Sequence, residues 1–283
     1  MLAALFNEPP NFYVFIGFSL FCGTSIFLWI SRLPKASAFS KRSWGLEIPW
    51  EDFGLLLFTC ILAAFLALTC LGQIYKILNP DELEQSILGT NGLQGAILVS
   101  ILLLRWKVPG LYGESLNRPY KVRTASLLLV TTAHFIKFLP LLWLVFLLLA
   151  VFFQMIGHEP APQRLVELMH QAAHHRPIHF AGLAFGAIML APLAEETLFR
   201  GYIHRFLRAK TGLAAAALAN SLLFAAIHVN IASFVPLFIL SLLLTYVYEK
   251  TGSLLAPIIF HALFNAFTVG AILIHDHLPE FNF

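Results

Sequence analysis

Glu195 and Glu196 stand side by side in an apolar stretch of membrane-spanning length, and Arg200 follows four residues after the second glutamate. Ionisable groups at membrane depth are costly and are therefore usually retained for function. Two later apolar stretches each carry a histidine: His228 closes Phe224-Ala225-Ala226-Ile227-His228, and His261 opens His261-Ala262-Leu263-Phe264-Asn265. A desolvated carboxylate suits a general base that draws a proton from water. An imidazole such as His228 can hold the other side of that water and later pass a proton to a leaving amine. His261 and Asn265, four apart on one helical face, offer N–H donors to a developing oxyanion. Arg200 can pair with Glu196 and balance its charge.

These residues work together only if helices bring them to one depth. Glu195 lies 17 residues before Gly212 and His228 lies 16 after it. At ~1.5 Å per residue both sit roughly 24–26 Å from a turn at Thr211-Gly212, on antiparallel neighbours. Arg205, Arg208 and Lys210 resist entering lipid, so part of that length projects past the inner surface. His261, nine residues beyond Gly252, lies about 14 Å into the membrane, so an inner projection of about 10 Å brings all three near the middle of a ~30 Å core. Pro192 donates nothing to Ile188 O and clashes with it, which predicts a bend one turn before Glu195 and an unpaired carbonyl.

The rest of the chain supplies the frame. Its 283 residues are 59% hydrophobic and 12% charged, with a positive mean hydropathy, which excludes an ordinary soluble domain. Apolar runs at 12–30, 53–74, 87–104, 125–156, 178–208, 213–230, 232–249 and 254–274 predict an all-α polytopic membrane bundle of about eight transmembrane helices. The 87–104 run is the weakest of these, and Pro140 is a point where 125–156 can divide into an interfacial piece and a span. Lys and Arg concentrate on one set of links, which places both termini outside. No basic stretch precedes the first run, so it reads as a retained helix. Cys22, Cys60 and Cys70 are odd in number, lack ligand spacing and read as packing residues. His170, His174, His175 and His179 read as a wet loop or interfacial helix rather than a metal site. The basic residues flank membrane runs and form no aromatic-studded groove, so no nucleic-acid partner is expected.

In order and spacing, Glu195-Glu196-x-x-x-Arg200, Phe224-x-x-x-His228 and His261-x-x-x-Asn265 resemble the three motifs of the CPBP family, which includes type II CAAX prenyl endopeptidases, bacteriocin-processing or immunity proteins and Abi proteins. The resemblance covers about 178–272. It implies a glutamate-type intramembrane protease of a bacterial-type cell membrane, without cofactor or metal, acting on a membrane-embedded or membrane-adjacent protein or peptide. By the same resemblance Glu195 and His228 activate water, His261 and Asn265 form the oxyanion hole, and Glu196 and Arg200 support them. The expected division is 1–177, an N-terminal transmembrane region of unassigned role; 178–274, the protease-like core; and 275–283, a tail.

Taken singly, each residue has a plainer explanation. A Glu-Glu pair is often a solvated helix end, an intramembrane histidine or asparagine is often interhelical glue, Arg200 alone is a boundary charge, and Phe224 is a core wall. It is the three motifs at matched depth that point to a reaction centre. Two other readings use the same residues. In one, His228, His261 and a glutamate hold zinc with water in the open position, though no HExxH is present. In the other, the polar centre serves a non-enzymatic immunity, scaffold or transport protein, which the lack of inverted repeats weighs against.

Overall fold

A computed structural model describes residues 45–107, 124–157 and 163–277. Over these the chain is all-helical. The helices are α1 (Trp50–Leu78), α2 (Glu82–Lys107), α3 (Thr124–Met155), α4 (Arg164–His175), α5 (Pro177–Thr211), α6 (Leu213–Ala226), α7 (Ile231–Thr251) and α8 (Leu255–His277). Six are long and apolar enough to cross a membrane: α1, α2, α3, α5, α7 and α8. The fold is a polytopic helical bundle, and the chain is an integral membrane protein. The run at 12–30 lies outside the described residues.

Local chemistry explains the connections. Asp81 Oδ1 accepts from Glu84 N and Glu84 Oε2 accepts from Asp81 N, a reciprocal box that starts α2. Asn79 closes α1 in the left-handed region at φ 46°. Gly212 at φ 84° reverses the chain between α5 and α6, and Gly252 at φ 70° does so between α7 and α8. Asn230 caps α7 by accepting from Ser233 N.

The structure departs from the sequence reading in several places. Helix α3 runs unbroken through Pro140, so that residue does not divide it. The run at 213–230 is helical only to Ala226, and its 14 residues rise about 21 Å, short of a full crossing. The basic end of α5 does not simply project into water. Arg205 is buried, and Glu249 of α7 accepts from Arg208 Nη1 at 2.5 Å and from His204 Nε2 at 2.9 Å, so protein partners replace solvent there. The histidine segment 170–175 lies on α4, an amphipathic helix that buries Leu168, Met169 and Ala172. Cys60 is buried, whereas Cys70 is exposed.

The main core gathers Leu56 of α1, Ile101 of α2, Phe138 of α3, Phe199 and Phe206 of α5, Phe224 of α6, Leu244 of α7 and Phe260 of α8. Helix α5 thus lies among the others. By contrast, α1 turns Phe58, Ile61 and Phe65 outward, as a lipid-facing helix does.

Candidate active site

Helix α5 is not a regular α-helix. Two π-helical stretches, Gly186–Leu190 and Thr197–His204, flank the short α segment Ala191–Glu196 that carries both glutamates. Such turns recur at functional sites because they re-aim side chains. Pro192 gives one reason for the first. In the π register Ala191 N–H donates to Gly186 O, five back, so the carbonyl facing the missing N–H of Pro192 is Ala187 O rather than Ile188 O. Asn265 of α8 fills that gap: its Nδ2 donates to Ala187 O at 2.6 Å.

Glu196 and Arg200 are both fully buried, and Arg200 Nη1 donates to Glu196 Oε1 at 3.0 Å. Arg200 Nη2 also donates to Ser241 O and Oγ of α7, at 2.9 and 2.6 Å. A buried guanidinium needs such partners, because desolvating it without them is costly. On the other side of the carboxylate, His261 Nδ1 donates to the same Glu196 Oε1 at 2.9 Å. Glu196 is thereby shared between a cation on its own helix and an imidazole on α8.

Glu195 points elsewhere. Its Oε1 accepts from Gln94 Nε2 of α2 at 3.1 Å, and its buried Oε2 accepts no hydrogen bond from the described residues. His228 lies in the turn after α6. Its Nδ1 faces Phe224 O at 2.7 Å, and since a carbonyl only accepts, Nδ1 carries the proton. In the neutral ring Nε2 is then the acceptor. The next residue, Val229, has φ 46° and is 91% exposed. A β-branched residue in that region is strained, and such strain clusters where geometry is constrained by function.

Phe224 joins the pieces. Its ring centroid is 5.0 Å from that of His228, 5.9 Å from His261 and 5.1 Å from Phe199, and the Arg200 guanidinium sits 4.9 Å over it. The structure therefore gathers Arg200, His228 and His261 around one buried ring, with Glu196 bonded to two of the three. Beside the His228 turn lies an apolar cavity of about 530 Å³, lined by Leu149, Phe152 and Phe153 of α3, by Ala225 and Val229, and by Phe234 of α7.

The zinc alternative finds no gathered donor set here. Among the described residues, the three donors whose ligand atoms lie within 4.8 Å of one another are Asp81, Glu84 and His179, near the start of α2. Asp81 and Glu84 form the helix box there, and Arg176 Nη1 donates to Asp81 Oδ2 at 2.5 Å, a cation where a metal would have to sit.

Sequence reasoning did not single out Gln94, Asn91 or Ser241. The first two were visible as polar residues inside the weakest apolar run; Ser241 looked like an ordinary helical serine in a strongly apolar one.

Comparison with known proteins shows what the segment that carries the glutamates, the arginine and the histidines is similar to. Residues 177–267 match the family described as "Type II CAAX prenyl endopeptidase Rce1-like". The matched segment contains every motif residue named above. UPF0177 protein YxdF of Lactococcus lactis subsp. lactis (strain IL1403) is 36% identical over 89 residues, covering 31% of this chain and 49% of that protein. The chain thus spans about half the length of the curated relative it matches. No solved structure matches.

Proposed function

We propose that this chain is an intramembrane endopeptidase that hydrolyses a peptide bond of a membrane-associated or lipidated peptide with a glutamate-activated water. One observation carries the reading: Glu195 Oε2 is buried and accepts no hydrogen bond from the described residues, while Glu195 Oε1 is held by the neutral Gln94 amide rather than by the cation that engages the neighbouring Glu196. The Rce1-like match over 177–267 supports the peptidase class.

Glu195 Oε2 takes a proton from water, and His228 Nε2 holds the same water from the other side. The hydroxide oxygen adds to the peptide carbonyl. Asn265 has a second N–H beyond the one given to Ala187 O, and it donates to the oxyanion. His261 gives its Nδ1–H to Glu196, so it reaches the oxyanion through Nε2 in the state that carries a proton on both ring nitrogens. The tetrahedral intermediate collapses as the C–N bond breaks, and the proton taken from water passes to the leaving amine. The apolar cavity beside His228 offers room for an apolar part of the substrate.

The test uses purified full-length chain in proteoliposomes with a fluorogenic prenylated CAAX peptide and its unprenylated counterpart. In parallel, peptides released by cells carrying the intact chain or Glu195→Gln are compared. Cleavage lost in Glu195→Gln is the expected result. Equal peptide release from both cell types, with neither probe cut, would overturn the reading.

A further inference from the structure

We infer that Gln94, on a helix outside the Rce1-like segment, is a positioning residue for Glu195: its amide ties down one carboxylate oxygen so that the other alone faces the water. The inference rests on the hydrolytic reading above for its function, though not for its geometry.

Helix α2 approaches α5 along a polar edge. Asn91 Nδ2 donates to Gly182 O at 3.3 Å. Asn91 Oδ1 occupies the space a side chain at Gly186 would need, since a Cβ there would lie 2.1 Å from it. Glycine at 186 therefore lets the two helices come together at the first π stretch. Three residues along α2, on the same face, Gln94 Nε2 reaches Glu195 Oε1 at 3.1 Å.

The chemistry of the pair is directional. Reversing the amide would set Gln94 Oε1 against a carboxylate oxygen, two acceptors face to face, so Nε2 toward Glu195 is the arrangement that bonds. The donor is neutral and remains a donor at every working pH. It adds no charge that would neutralise the base, as a lysine or arginine at this position would. A flexible glutamate held at Oε1 presents Oε2 in one orientation, which is the requirement for proton transfer in a near-attack geometry. Gln94 Oε1 is itself buried and without a partner among the described residues, as expected of an amide held by its donor end. The N-terminal half of the chain, which carries no motif, thereby contributes to the reaction centre.

The experiment compares wild type, Glu195→Gln, Gln94→Met and Ser100→Ala, each full-length in lipid nanodiscs. Infrared difference spectra between wild type and Glu195→Gln isolate the Glu195 carboxylate band. Gln94→Met, similar in shape but without a donor, is expected to displace that band, whereas Ser100→Ala on the same helix leaves it in place. On the prenylated CAAX peptide, Gln94→Met is expected to lower kcat by about 10–100-fold, the usual worth of one hydrogen bond to a charged group, with KM unchanged. A displaced band together with cleavage retained in Glu195→Gln would sink the hydrolytic reading and leave the positioning role standing. An unmoved band in Gln94→Met overturns the proposal whether or not kcat falls, because a fall would then reflect packing alone.

Discussion

His261 Nδ1 and Arg200 Nη1 converge on the same oxygen, Glu196 Oε1, at 2.9 and 3.0 Å. Among the described residues each glutamate leaves its Oε2 without a hydrogen bond, but Glu196 Oε1 is shared by a cation and an imidazole, whereas Glu195 Oε1 is held by the neutral Gln94 amide.

That asymmetry predicts different failures for two similar substitutions. Glu195→Gln should remove hydrolysis, leaving less than a tenth of activity, while expression and thermal unfolding stay near wild type. Glu196→Gln should lower the unfolding temperature, because Arg200 loses its buried counter-charge. Thermal unfolding of both purified variants checks the contrast; equal unfolding temperatures would contradict it.

Arg200→Met should destabilise by about 3–5 kcal/mol, the usual cost of leaving one member of a buried ion pair alone. Denaturation in detergent measures this. A loss below about 1 kcal/mol, the median for exposed pairs, would mean that water reaches the site.

His261→Ala and Asn265→Ala should each reduce turnover by roughly 10²–10³-fold with little change in KM. Asn265→Ala should in addition cost about 1–3 kcal/mol of stability, since Ala187 O would be left unpaired. Turnover and unfolding measured on the same preparations separate the two effects. A raised KM with normal turnover would make these residues substrate grips instead.

Chelation should leave cleavage unchanged, because the ligand atoms of Glu195, His228 and His261 do not all lie within 4.8 Å of one another, as three ligands of one zinc ion would. Metal analysis beside an activity assay decides it. Loss of activity on chelation with recovery on adding zinc would defeat the metal-free mechanism.

Outside the membrane, the backbone N–H of Glu84, and after it Arg176, holds the Asp81 carboxyl below the ordinary carboxylate range. A lowered pKa in the folded state adds stability above the ordinary carboxylate pKa, and that stability fades as pH falls through the lowered value. Asp81→Asn should therefore lower the unfolding temperature at neutral pH and match wild type in strong acid. A constant difference across pH would show that the charge of Asp81 is not the cause.

The helical class, the membrane and the residues worth watching could all be read along the chain, because each depends on local composition or on spacing of three or four residues. Arg200 with Glu196 is such a case. What could not be read depends on which helices touch. Gln94 meets Glu195 from 101 positions away, and Ser241 meets Arg200 from 41. The Pro192 carbonyl was misplaced by one residue for a different reason: regular α geometry was assumed where the chain adopts a π turn.

That π turn makes helix length and helix phase separate requirements. A π stretch holds one more residue than the α turn it replaces, so the residues on its two sides are out of step by about 100°. A chain shortened by one residue between Gly186 and Leu190 would keep a helix of spanning length and the same hydropathy. Its glutamates would keep their phase, because an α turn covers with one residue fewer the rotation of the π turn it replaces; a full-length helix held in regular α geometry would instead carry Glu195 about 100° away from Gln94.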